Sequence, residues 1–300
     1  MKAIRQIASA SAITFAMALA SAADDTRIGI VAAENFYGDV ARQIGGDRVV
    51  VSTILSNPDQ DPHLFETTPE VIRKVADARI VIFNGANYDP WMQKLLDAAP
   101  RSGRTAISVA AIVGRRTGDN PHLWYDPATM PAAAKALAEA LGNSDHGHEA
   151  AYDQHLRSFL ASLRPLDQKI ADIRARYAGI AVTATEPVFG YMANALGLTV
   201  RNERFQMAVM NDTEPAARDL AAFENDLTTA NVKVLLHNKQ VTSNLASRLI
   251  NVATHADVPV VGITETEPAN ADYVGWMIGQ LDELDQALQR SSKPSVGSRN

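Results

Sequence analysis

Short β-branched and apolar runs recur along the chain, separated by stretches whose apolar residues fall three or four apart. The runs are Arg27–Ala32, Val49–Leu55, Arg79–Asn84 and Ala106–Val109, then Ile180–Thr185, Leu198–Asn202, Val232–His237 and Val258–Thr264. Helical spacing marks Phe36–Gly45, Pro69–Ala76, Pro90–Ala98, Ala128–Gly142, Val188–Gly197, Glu214–Ala230, Val241–Ala256 and Asp272–Gln289. Strands alternating with helices predict an α/β fold with mainly parallel sheets. The eight runs fall into two groups of four, with a long amphipathic stretch from His148 to Ala178 between them. There Tyr152, Leu156, Phe159, Leu163, Leu166, Ile170, Ile173 and Tyr177 share one helical face. The pattern predicts two lobes, residues 23–145 and 179–290, joined by one connector helix over 146–178. Pro165 should kink that helix, because it removes a backbone donor and crowds the preceding turn.

The N-terminus changes the picture of where this fold works. Lys2 and Arg5 precede an uncharged run from Ile7 to Ala20 and the small residues Ala20-Ser21-Ala22, the layout of a secretory signal peptide over residues 1–22. No later segment approaches the roughly 20 apolar residues that spanning a membrane needs. Removing the leader takes away two basic residues and no acidic one, moving the formal charge from −6 to −8. An acidic exported chain is a poor match for nucleic acid. It contains no cysteine, so any metal must be held by nitrogen and oxygen. Residues 291–300 are polar, with Pro294 and Gly297, and read as a disordered tail.

Candidate chemistry begins with a repeated pattern. Asp61-Pro62-His63-Leu64-Phe65 returns as Asn120-Pro121-His122-Leu123-Trp124. Proline fixes its own φ and disfavours a helical residue before it, so each histidine projects from a stiff turn, with apolar residues behind it to anchor the loop. His63 follows the second run and His122 the fourth, while Glu186 ends the fifth and Glu265 the eighth. All four are expected beyond the carboxyl ends of strands, where open α/β sheets place ligands.

Glu186 precedes Pro187 and fits a helix N-cap, so its carboxylate could cap the helix, bind a cation, or do both. Glu265 and Glu267 have strand spacing and should point the same way; either could ligate, or both could face solvent. His237, at the end of an apolar run, reads more readily as a buried, hydrogen-bonded histidine than as a ligand. His146 and His148 read as a solvated pair at the start of the connector.

With these residues assembled, the chain resembles the metal-ion solute-binding proteins of ABC importers, the zinc- and manganese-binding group. The resemblance spans the mature chain and is carried by Asp59-Gln60-Asp61-Pro62-His63, by Trp124-Tyr125-Asp126-Pro127 after the second histidine, and by Thr185-Glu186-Pro187-Val188-Phe189-Gly190-Tyr191. It implies two small parallel-sheet lobes joined by a backbone helix, with a divalent cation between them. By position, His63 and His122 match the first two ligands. Glu186 matches the third, histidine in many zinc binders and glutamate in many manganese binders, and Glu265 the fourth, usually aspartate. The long His- and Asp-rich insertion of many zinc importers is absent, since Gly114 to Asn120 is short. Two imidazoles with two carboxylates suit Mn²⁺ better than an all-imidazole set does, whereas Zn²⁺ has the higher intrinsic affinity. The resemblance therefore implies a periplasmic receptor, monomeric and not an enzyme, that carries Zn²⁺ or Mn²⁺ to a membrane permease. A secreted metallohydrolase using Glu267 as base, or a binder of an organic solute or metal chelate, are the alternatives. No His-Glu-x-x-His helix supports the first, and Trp91, Trp124 and Trp276 are too scattered to argue the second.

Overall fold

A computed structural model describes residues 27–57 and 65–292. The signal peptide expected over 1–22, His63 in its loop, and residues 293–300 of the expected tail lie outside these. The strands are β1 (Ile28–Glu34), β2 (Val49–Leu55), β3 (Ile80–Phe83), β4 (Thr105–Ser108), β5 (Ala181–Ala184), β6 (Thr199–Arg201), β7 (Leu235–Asn238) and β8 (Val260–Ile263). They form two four-stranded sheets, ordered β2-β1-β3-β4 and β6-β5-β7-β8, and every pairing is parallel. In each sheet the chain winds outward in one direction and then reverses, so a topological switch point falls between β1 and β3 and between β5 and β7.

The first lobe's helices are α1 (Asn35–Gly45), α2 (Pro69–Asp77), α3 (Pro90–Ala98), α4 (Val109–Ile112) and α5 (Thr129–Ser144). The connector is α6 (Glu149–Ser162) and α7 (Arg164–Tyr177). The remainder are α8 (Gly190–Ala195), α9 (Glu203–Met210), α10 (Ala217–Thr228), α11 (Asn244–His255) and α12 (Tyr273–Ser292). Among the described residues no helix is long and apolar enough to cross a membrane. The break in the connector falls at Leu163, whose backbone stays helical (φ −75°, ψ −17°), with Pro165 in the first turn of α7. The last helix runs through Ser291 and Ser292, two residues into the stretch expected as tail; the Ser291 hydroxyl holds the Leu288 carbonyl there.

Alternation along the strands divides the apolar residues between two faces. In the first sheet Ile30, Ala32, Ile80 and Ile82 join the main core. Val31, Ala33, Val81 and Phe83 face the other way onto Val75, Met92 and Leu95. In the second, Val182, Ala184, Leu236, Val261 and Ile263 enter the same main core, while Leu235 packs outward with Phe205, Phe223 and Leu249. Gly38 lets α1 lie against β2, since a Cβ there would collide with Thr53.

The two lobes do not keep separate cores: the main core is continuous between them. Helix α12 follows the last strand of the second sheet yet packs against α1 of the first lobe as well as α7. Trp276 stacks on Phe36 at 5.8 Å between ring centroids, and the Tyr273 hydroxyl donates to the Trp124 carbonyl at 2.7 Å. Asn35 clasps the backbone of Glu267 from both sides, donating to its carbonyl (2.7 Å) and accepting from its N–H (3.1 Å).

Candidate metal centre

The second histidine turn folds as its sequence suggests. Leu123, Trp124 and Tyr125 form a buried 3₁₀ turn beneath His122. Trp124 packs on Phe36, Tyr88 and His122 at 4.6, 4.9 and 5.4 Å between ring centroids. His122 is wholly buried, and both its tautomer and its direction are fixed by Asn120. The Asn120 side-chain oxygen accepts the His122 backbone N–H at 3.1 Å and lies 2.7 Å from Nδ1. An oxygen there requires Nδ1 to carry the hydrogen, which leaves Nε2 with a lone pair. The Asn120 amide nitrogen donates to the Pro187 carbonyl at 2.7 Å, and the Tyr191 hydroxyl donates to the Asn120 carbonyl at 2.7 Å. The same residue thus ties the histidine turn to the loop after β5 in the other lobe.

Glu186 occupies the N-cap position ahead of Pro187, with extended backbone (φ −146°, ψ 159°), but its side chain makes no capping bond. Instead Oε2 accepts from the Asn238 amide nitrogen at 3.0 Å. That amide also donates to Glu265 Oε1. Glu265 Oε2 accepts from the Tyr88 hydroxyl at 3.0 Å and stands 3.4 Å from His122 Nε2. The Gln240 side-chain oxygen accepts the backbone N–H groups of Glu265 and Thr266, while the Gln240 N–H donates to Asn238 Oδ1 at 3.0 Å. The loops after β7 and β8 therefore hold one another. Glu186, Asn238 and Glu265 are buried along with His122.

Glu265 and Glu267 do not act as a pair. Both are buried rather than solvated, and only Glu265 reaches His122. Burial, with Asp39 nearby, pushes Glu267 up to about 8. His237 is half-buried on the face of β7 opposite Asn238, beside Gly262, with its pKa lowered by burial. The His148 ring nitrogen lies 2.9 Å from Asp145 at the start of the connector. Among the described residues no three imidazole or carboxylate groups converge closely enough to enclose a cation by themselves.

Sequence reasoning missed Tyr88, Asn120 and Asn238 as orienting groups, and it missed a second buried carboxyl cluster. Glu34 ends β1 with no exposed surface, and neither of its oxygens has a hydrogen-bond partner. Beside it, Asp89 accepts from the backbone N–H groups of Asn84 (2.7 Å) and Gly85 (2.8 Å). Burial first, then the Asp89 charge, pushes Glu34 well above the usual carboxylate range. Burial raises Asp89 to about 6 against those two bonds. Both shifts favour the neutral acids over the carboxylates. The folded protein holds these protons more tightly than the unfolded chain, whose carboxyls titrate near 4. The stability they confer is complete below about pH 4 and is lost as pH rises, through about 6 for Asp89, with the raised Glu34 acting in the same direction. The melting temperature of the metal-free protein should therefore fall by several degrees between pH 5 and pH 8. Glu34→Gln, which keeps a donor towards Asp89, should show a shallower fall; identical slopes would remove the pair as the cause.

Comparison with known proteins places the chain in a family. Residues 30–287 match the family model described as ZnuA, zinc-uptake complex component A, periplasmic, and the chain belongs to that family. Its relatives include the manganese ABC transporter substrate-binding lipoprotein PsaA of Streptococcus mitis, 21% identical over 290 residues that cover 90% of this chain and 92% of PsaA. The iron ABC transporter substrate-binding lipoprotein MtsA of Streptococcus pyogenes serotype M1 is 24% identical, over 89% of this chain and 91% of MtsA. The fold superposes on the periplasmic zinc-binding protein TroA of Treponema pallidum with a TM-score of 0.74, at 18% identity, over 87% of this chain and 99% of TroA.

Proposed function

We propose that this protein captures a divalent transition-metal ion, Zn²⁺ or Mn²⁺, between its lobes and delivers it to the membrane permease of an ABC importer. The observation that carries the reading is the buried contact of His122 Nε2 with Glu265 Oε2. With Nδ1 protonated, both facing atoms are acceptors, 3.4 Å apart and with no exposed surface. Two lone pairs meeting in a low-dielectric interior call for a cation between them. Metal binding requires the neutral imidazole and the ionised carboxylate, so affinity falls in acid. The ligands in this reading are His63, His122, Glu186 and Glu265.

Membership of the zinc-uptake family and the names of the manganese and iron importer relatives support a metal cargo, and neither alternative, the hydrolase or the organic-solute binder, gains support from them. In the finer reading the signal peptide is cleaved near Ala22. The mature monomer, lobes 23–145 and 179–290 on a 146–178 connector, works in the periplasm without catalysing a reaction. The extensive contact between lobes favours movement of the loops around the ion over a wide hinge opening.

Elemental analysis of the purified mature protein, followed by competitive titration of the metal-free form with Zn²⁺ and Mn²⁺, tests this. One equivalent is expected, and Glu186→Ala should weaken it by roughly tenfold or more through loss of a ligand oxygen. No specific uptake of either ion would sink the reading; unchanged affinity in the variant would remove Glu186 from the ligand set.

A further inference from the structure

Asn120 stands where the two lobes meet, and each end of its side chain answers a different lobe. In the first, Oδ1 accepts the His122 backbone N–H at 3.1 Å and faces Nδ1 at 2.7 Å. In the second, the amide nitrogen donates to the Pro187 carbonyl at 2.7 Å, one residue beyond Glu186. The Asn120 backbone carbonyl is held from that side as well, by the Tyr191 hydroxyl at 2.7 Å. One orientation of the amide meets these demands, because turning it over would set donor against the His122 N–H and acceptor against the Pro187 carbonyl. Gly190, the first residue of α8, leaves room for it: a Cβ there would stand 3.1 Å from Asn120 Nδ2. The Gly190 backbone is ordinary right-handed helix (φ −57°, ψ −46°), so its missing side chain matters for space and not for conformation.

An amide does here what a carboxylate cannot. For the imidazole alone a carboxylate is the stronger partner, since accepting from Nδ1 it raises the basicity of the ring as a ligand. An ionised carboxylate only accepts, however, and would meet the Pro187 carbonyl oxygen with another oxygen. Resting on the metal-carrier reading above, we propose that Asn120 is a positioning residue that joins the lobes at the site. It sets the His122 ring and the backbone next to Glu186 in one frame, so that candidate ligands from different sheets are spaced before the ion arrives. Some basicity of the imidazole is given up for that spacing, and the balance between the two effects is open to measurement.

The test uses the mature protein stripped of metal, with Zn²⁺ and Mn²⁺ as probes and folding of each variant checked by circular dichroism. Asn120→Asp keeps an oxygen on Nδ1 but loses the donor to Pro187. A residue that served the imidazole alone would leave this variant binding as tightly as the wild type or more tightly. Joining the lobes predicts a loss of about tenfold or more, the lower bound for a group that orients a ligand. Gly190→Ala leaves both candidate ligands untouched and suits the helix it opens, yet it crowds the amide and should also weaken binding. If Asn120→Asp does not fold, Gly190→Ala decides. Nitrogen-15 NMR of the metal-free proteins reads what a merely structural role would not move: His122 should carry its hydrogen on Nδ1 in the wild type and in Asn120→Asp, and lose that preference in Asn120→Ala. Wild-type affinity in Asn120→Asp or in Gly190→Ala overturns the proposal, as does an unaltered tautomer in Asn120→Ala. Absence of uptake of either ion by the wild type overturns the carrier reading and this proposal with it; wild-type uptake with undiminished binding by Asn120→Asp overturns this proposal alone.

Discussion

Replacing His122 with alanine is expected to lower affinity for both Zn²⁺ and Mn²⁺ by more than about 100-fold, beyond the 10–100-fold range for groups that only orient a ligand. The imidazole is committed in the empty protein. Asn120 fixes its tautomer, Trp124 supports the ring, and Nε2 already faces Glu265. No search over rotamers precedes binding. Stability should report the same loss. A ligand present at 1,000 times its Kd stabilises the folded state by about 4 kcal/mol, so the wild type should show a large metal-dependent rise in melting temperature and His122→Ala almost none. Without metal the two proteins should melt at similar temperatures, since the substitution also removes an acceptor facing another acceptor. Calorimetric titration, with melts in chelator and in excess metal, measures both effects; retention of tight, one-equivalent binding by His122→Ala would remove the residue from the site.

Trp124→Ala should be the most damaging single change to the fold, costing about 3–5 kcal/mol as a large aromatic truncated in a packed core. Its ring has no exposed surface and touches Phe36, Tyr88, Tyr125 and His122, so the hole would open directly under the metal site. Affinity should fall along with stability because the His122 turn loses its floor. Trp124→Phe separates packing from polarity. The indole N–H is buried without a hydrogen-bond partner, so phenylalanine discards a group that gains nothing in the fold and should cost well under half as much. Chemical denaturation of the three proteins in chelator provides the comparison, and equal losses for alanine and phenylalanine would assign the effect to the indole nitrogen after all.

The parts legible in the sequence were those with a local physical signature. All eight strands lie where apolar runs placed them, and the Pro-His turn at His122 is buried by the residues that follow it. What sequence could not show depends on partners distant along the chain. Asn84, Asn120 and Asn238 look like ordinary turn-forming asparagines. Their roles as donors and acceptors at depth arise only when the carboxyl ends of several strands meet. Glu34 reads as a polar residue closing a strand; only the packing of Tyr37, Asn84 and Asp89 around it reveals a buried acid. Helix α9 escaped notice because it is short, follows Asn202 in the left-handed region (φ 61°) with no side-chain cap, and carries only a brief apolar stripe. Glu186 held the position of a cap without doing its work, an outcome fixed by Asn238, 52 residues away.

The path of α12 bears on the order in which this protein can fold. A chain made from its N-terminus completes the first sheet, α1 and the histidine turn early, yet the Trp276 ring that stacks on Phe36 and the Tyr273 hydroxyl that answers the Trp124 carbonyl come only with α12. Until the final twenty-residue helix arrives, the early half carries an uncovered apolar seam and an unanswered acceptor. The first lobe is therefore not a domain that finishes alone and waits. Its last layer is supplied by α12, which delays consolidation of the first lobe until that helix has been made.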